Sequence, residues 1–182
     1  MYTVYSGAPD DSRPENETAV YHFLNSLSIP FVRIDHDPVR TMEDCQAIDA
    51  ALGGEICKNL FLCNQQKTQF YLLMIQKNKA FKTKDISKQL GVSRLSFGTP
   101  DHMRQLLHLS PGAVSPMGLL FDSAKDVRLL LDADLKGGEY LGCHPCVNTA
   151  SIRMAMADFL HIYLPAAGHA PTFVTIPPNT GE

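Results

Sequence analysis

The chain has 182 residues, 45% of them hydrophobic, which is enough apolar material to bury one sizeable core, so a single domain over residues 1–182 is expected. A formal net charge of −3 excludes a protein that coats nucleic acid through overall basicity. Five cysteines without disulfide-framework spacing, and a polar N-terminus lacking an apolar h-region, predict a reducing, cytoplasmic setting, and apolar runs such as Phe70–Ile75 are too short to span a bilayer.

Residues 1–14, with Gly7, Pro9 and Pro14, read as a loose lead-in. From Glu15, Val20, Phe23, Leu24 and Leu27 share one helical face, which Ser28-Ile29-Pro30 ends. Phe31 to Asp35 alternates as a strand. Thr41 and Asp44 resemble a capping box opening a second helix, closed by Gly53-Gly54. Leu60 to Cys63 and Phe70 to Ile75 predict an antiparallel pair, turned by Asn64 to Thr68. Lys58 and Asn59 then stand at the entrance of a central strand, where a lysine is either a solvated end charge or a pocket residue.

Residues 77–94 hold Lys77, Lys79, Lys82, Lys84, Lys88 and Arg94 against Asp85 alone. The chain has 16 basic and 19 acidic residues; removing these six and one leaves 10 and 18, a balance of −8. Concentrated charge of this kind can hold a phosphate backbone, or form the solvated face of a short helix over Asp85 to Leu90. Leu95 to Phe97 reads as a strand, and Thr99 caps a helix with Pro100 at its first position, running to about Leu109. A Pro- and Gly-dense loop, Ser110 to Gly118, precedes predicted strands at Leu119 to Phe121 and Val127 to Leu131, with a turn or short helix over Asp132 to Gly138.

Tyr140 to Ser151 reads as a strand end, a sharp loop and a helix start. Gly142 permits unusual backbone geometry, Pro145 stiffens the turn, and Asn148, Thr149 and Ser151 are N-cap candidates for a helix over Ser151 to Tyr163. His144 would then lie beside a helix N-terminus, either holding the turn or taking part in chemistry. Thr172 to Ile176 is a final strand. The irregular interleaving predicts an α+β fold, a mixed, curved, barrel-like sheet surrounded by helices. Cys143 and Cys146 lack the second pair of ligands a structural zinc site needs, so no metal is expected and both read as packing residues.

Four motifs stand in the order seen in one family: Lys58-Asn59-Leu60-Phe61-Leu62; the Lys-rich segment leading to Leu90-Gly91 and Arg94-Leu95-Ser96-Phe97; Ser115-Pro116-Met117-Gly118; and Gly142-Cys143-His144-Pro145 with Asn148-Thr149. From Glu17 to Ile176 the sequence resembles the freestanding deacylases related to the editing domain of bacterial prolyl-tRNA synthetase, the YbaK/ProX family. It is most similar to the ProXp-ala or PrdX branch, which clears alanine from tRNA(Pro). The resemblance implies a trans-acting hydrolase of the ester joining a wrong amino acid to the terminal adenosine of tRNA, without cofactor. It implies that Lys58 holds the tRNA 3′-end and substrate, that Asn59 lines the same pocket, and that Gly142, His144 and Pro145 border the aminoacyl group. Ser115 and Gly118 would form the opposite wall, with Asn148 also at the substrate. The basic segment (Lys77, Lys79, Lys82, Lys84, Lys88) would hold the acceptor end of tRNA(Pro), and prolyl-tRNA synthetase would be a second partner. A deacylase clearing cysteine, serine or threonine, and a non-catalytic tRNA-binding homologue, are the alternatives.

Overall fold

The computed structural model describes residues 2–39, 42–54 and 56–178. Helix α1 (Glu15–Ser26) follows β1 (Val4–Ser6) and buries Val20, Tyr21 and Leu24 on one face, the i, i+1, i+4 pattern of a surface helix. It ends at Ser28, in the left-handed region at φ 55°, and Tyr21 stacks on Phe31 of β2 (Phe31–Asp35) at 5.5 Å. Helix α2 (Met42–Leu52) is closed by Gly53 at φ 76°, whereas the capping residue expected at Thr41 lies outside the described residues.

The hairpin of β3 (Lys58–Asn64) and β4 (Phe70–Ile75) forms in the expected antiparallel register, Lys58 opposite Ile75 and Cys63 opposite Phe70. Asn64 sets the turn, its Oδ1 accepting from Thr68 N at 2.8 Å and Gln69 N at 3.1 Å. Helix α3 (Thr83–Leu90) stops at Gly91, φ 65°, ahead of β5 (Leu95–Phe97). Helix α4 (Pro100–Leu107) is capped by Thr99, whose Oγ1 accepts from His102 N at 3.2 Å. A 3-10 turn over Pro116–Phe121 leads to β6 (Val127–Asp132), a second 3-10 turn over Ala133–Leu135 and β7 (Tyr140–Cys143). Next come β8 (Ala150–Ala155), α5 (Met156–Asp158), a π-helical turn (Phe159–Tyr163), α6 (Leu164–Ala166) and β9 (Thr172–Val174).

Among the described residues the strands form two sheets, ordered β1-β2-β8-β7 and β5-β3-β4-β6-β9. The first is antiparallel; the second is mixed, since β4, β6 and β9 run parallel. A β-bridge from Ile56 to Gly142 joins the sheets, with Cys57 N donating to Gly142 O at 3.1 Å. This is the α+β architecture expected, with the curved sheet divided in two. Phe61, Leu72, Met74, Leu129 and Leu131 face a core shared with Phe31, Leu141, Ile152 and Met154 of the other sheet. Leu62, Tyr71, Leu73, Ile75 and Leu130 face a second core under Ile86 of α3. Burial on both faces explains the unbroken apolar run of β4.

Several local expectations are corrected. Val4–Ser6 of the lead-in is a strand on β2, and Arg13 Nη2 anchors the remainder to Asp35 Oδ2 at 2.9 Å. Residues 150–155 are a strand rather than the start of a helix. Ile152, Met154 and Met156 repeat with period two inside a stripe that also fits 3.6, and pairing with β2 selects the strand. Leu119 to Phe121 is 3-10 rather than strand, because Ser115 caps the turn through Met117 N at 3.1 Å and Pro116 occupies its first position.

Candidate functional site

The bond between Cys57 and Gly142 brings two of the sequence motifs together. Lys58 and Asn59 open β3 immediately after it, and Gly142 to His144 end β7 beside it. Ser115 adds the third motif: its buried hydroxyl donates a short hydrogen bond to the His144 carbonyl and accepts from Met117 N. Tyr163, carried on the π-helical turn, donates to Met117 O at 2.9 Å and so braces the same loop. On the other side Asn16 Nδ2 donates to Cys146 O at 2.9 Å.

Lys58 is half-buried, and its Nζ donates to Lys79 O at 2.8 Å. Among the described residues no carboxylate pairs with it. Asn59 Nδ2 donates to Cys57 O at 3.2 Å, which orients the amide and leaves Oδ1 buried without a hydrogen-bond partner among the described residues. An unmatched buried acceptor costs about 1–3 kcal/mol and is a natural place for a ligand donor.

His144 sits at the head of a short relay. Its Nδ1 lies 2.8 Å from Ala150 O, and because a carbonyl only accepts, Nδ1 carries the proton and Nε2 the lone pair. The same nitrogen is 3.4 Å from Ser151 Oγ, which lies 2.9 Å from His36 Nε2, while His36 Nδ1 donates to Asp37 O at 2.9 Å. Burial lowers the His144 pKa; the Ala150 carbonyl opposes this and the nearby His36 adds to it. The imidazole is therefore neutral near pH 7. His36 and Ser151 escaped the sequence reading: Asp35-His36-Asp37-Pro38 has no periodicity, and Ser151 was read as a helix cap.

Other expected site residues take different roles. Gly142 is in an extended strand that makes no special backbone demand, and its carbonyl is what matters. Gly118 turns away from a pocket wall; a Cβ there would lie 2.9 Å from Leu107 O and from Leu109 Cδ1, so glycine is required for the 3-10 turn to pack on α4. Ser115 is a clamp whose one hydroxyl hydrogen is committed to the His144 carbonyl. Pro145 is buried in the turn, and Asn148 lies beside Gly112 of the Ser110–Gly118 loop, in the turn into β8 rather than at a helix cap. No helix N-terminus adjoins His144, since a strand follows the loop.

The basic segment divides. Lys82, Lys84 and Lys88 are exposed on or beside α3. Lys77 pairs with Asp49 of α2. Lys79 is withdrawn from the phosphate-binding set: it is 5% exposed, with Nζ 2.8 Å from Asp132 Oδ2 and 2.5 Å from Asp134 Oδ2. Burial opposes its charge, but the two carboxylates outweigh that and raise its pKa. For Cys143 and Cys146 burial is the main cause pushing the thiols up, with Cys57 adding to the first and Cys143 to the second. Both remain protonated, unlike an activated thiolate.

The model of the aminoacyl-tRNA editing domain matches residues 36–162. The chain is 35% identical over 140 residues to the prolyl-tRNA editing protein ProX of Acetoanaerobium sticklandii, covering 77% of this chain and 85% of that one. It is 34% identical over 152 residues to prolyl-tRNA synthetase associated domain-containing protein 1 of Mus musculus, covering 81% and 89%. A crystal structure described as a candidate trans-editing enzyme for prolyl tRNA synthetase shares the fold, with TM-score 0.68 and 17% identity over 92% of this chain and all of that one. The position of the match, spanning β3, the 3-10 loop and the His144 turn, makes this chain a member of the aminoacyl-tRNA editing domain family.

Proposed function

We propose that the protein is a trans-acting deacylase that hydrolyses the ester of mischarged tRNA(Pro), with alanine as the amino acid removed. The observation that carries this reading is the junction at Cys57 and Gly142, which joins the Lys58–Asn59 strand end to the strand leading into a loop held by Ser115 and headed by a neutral histidine; among the described residues Lys58 has no carboxylate partner and Asn59 Oδ1 no hydrogen-bond partner. Lys58 holds the 3′-end of the tRNA, and Asn59 Oδ1 accepts from an N–H of the aminoacyl group or from an O–H of the attacking water. Water adds to the ester carbonyl, the oxyanion forms and collapses, and the ribose oxygen leaves with a proton. Aminoacyl esters are reactive enough that positioning and oxyanion stabilisation suffice. The high thiol pKa values of Cys143 and Cys146 favour water over a cysteine as nucleophile.

His144 acts as a wall. Bonded through Nδ1 and neutral, it would border the aminoacyl group beside the stiff Pro145, so that alanine enters and the proline ring stays out. A synthetic site made for proline cannot strongly exclude the smaller alanine, which is why a second site is needed. Lys82, Lys84 and Lys88 hold the acceptor-end phosphates, prolyl-tRNA synthetase is the natural neighbour, and five cysteines without disulfide-framework spacing favour a cytoplasmic setting. A deacylation panel with alanyl-, cysteinyl-, seryl- and prolyl-tRNA(Pro) tests the proposal. Fast loss of alanine with proline retained supports it; preference for cysteine or serine changes the specificity, and no hydrolysis of any of the four leaves a tRNA-binding homologue.

A further inference from the structure

The basic segment contains one lysine that points inward, and what it holds is the residue placed above at the tRNA 3′-end. Lys58 and Ile75 are the last pair of the β3–β4 ladder. Beyond it the chain turns, Lys79 N donating to Gln76 O at 3.1 Å. At the end of that turn Lys79 faces two ways. Its carbonyl accepts from Lys58 Nζ at 2.8 Å. Its side chain crosses to the end of β6, where Nζ donates to Asp132 Oδ1 at 3.1 Å and Asp134 Oδ2 at 2.5 Å. Asp132 is fully buried and also accepts from Asp134 N at 3.3 Å, so the acidic end of the clamp is fixed by its own backbone.

We propose that Lys79 and Asp132 are positioning residues for Lys58: their buried ion pair locks the turn after β4 so that the Lys79 carbonyl takes one of the three N–H bonds of Lys58 and aims the other two at the substrate. The inference rests on the role given to Lys58 above. A lysine side chain is long and rotamer-rich, so an untethered Lys58 would occupy the productive position only part of the time. A carbonyl is suited to the task because it orients the ammonium without neutralising it, as a carboxylate would. A buried pair also resists salt, which an exposed tether would not.

The test is a double-mutant cycle on the full chain with alanyl-tRNA(Pro) as substrate. Asp132→Asn keeps the shape and an acceptor while removing the charge. It is expected to lower kcat/KM by about tenfold, the scale of a small misplacement. In a Lys58→Ala background Asp132→Asn should have no further effect. Multiplicative losses in the two backgrounds, or wild-type kcat/KM in Asp132→Asn, overturn the proposal. If Asp132→Asn does not fold, Asp134→Asn, which removes the exposed half of the clamp, enters the same cycle with the same criteria. A second readout is independent of the reaction. The Lys58 ammonium should give a slowly exchanging ¹H–¹⁵N NMR signal that is lost in the clamp variant; an unchanged signal contradicts the tether. If Lys58→Ala is itself fully active, the assignment of Lys58 fails, while the NMR result still decides whether the tether exists.

Discussion

An ammonium that gives one hydrogen to a carbonyl has two more to give, and among the described residues Lys58 makes that carbonyl bond and no ion pair. Lys58→Ala removes a charge-assisted contact of about 1.5–3 kcal/mol and should lower kcat/KM for Ala-tRNA(Pro) by roughly 10- to 150-fold. Unchanged hydrolysis by this variant would remove Lys58 from the site. If His144 borders the aminoacyl group as proposed, His144→Ala should admit larger aminoacyl groups while part of the alanine activity survives; loss of hydrolysis for every substrate with the fold retained would make His144 catalytic instead. Above about pH 6.5 a rate profile cannot separate the two roles, because an imidazole whose pKa is lowered by burial is already neutral there. The substitution is therefore the deciding measurement.

At the scale of elements, α3 and its flanks present Lys82, Lys84 and Lys88 to solvent while Ile86 packs beneath. Replacing the three lysines with Gln should raise KM, leave kcat nearly unchanged and flatten the salt dependence, since each duplex phosphate contact contributes about 0.9 to the log–log slope. An unaltered slope would make this face merely solvated. The contrast with Lys79 shows how far the sequence could be read. Helix α3, its glycine stop and the β3–β4 hairpin were legible because Ile86, Gly91 and Asn64 act through near neighbours. Lys79 was misread because its charge is visible locally and its partner, Asp132, is distant in the chain. β8 was misread because two periodicities coincide over Ile152 to Met156, and only the register with β2 separates them. Lys58, Asn59 and His144 were singled out by their motifs, but the bonds fixing them, to Lys79 O, Cys57 O and Ala150 O, are tertiary facts.

For the molecule as a whole, burial lowers the pKa of both His144 and His169, the latter despite Asp122 at 3.4 Å. Unfolded imidazoles take protons near pH 6.5, the native ones only at lower pH, so just below 6.5 the unfolded chain binds more protons. Stability should therefore be full above pH 6.5 and decline as pH falls through the native pKa values. Tm measured from pH 8 to pH 5 should show that decline, shallower in His169→Gln; a Tm independent of pH would contradict it. The bridge between Ile56 and Gly142 has a consequence in time. Neither sheet contains the site by itself, since Lys58 and Asn59 belong to one and His144 follows a strand of the other. Contacts between such distant stretches of chain form late in folding, after local hairpins and helices. A nascent or partly refolded chain would therefore carry a basic α3 able to meet tRNA before it could cleave an ester, and regain of hydrolysis during refolding should trail the recovery of helical signal.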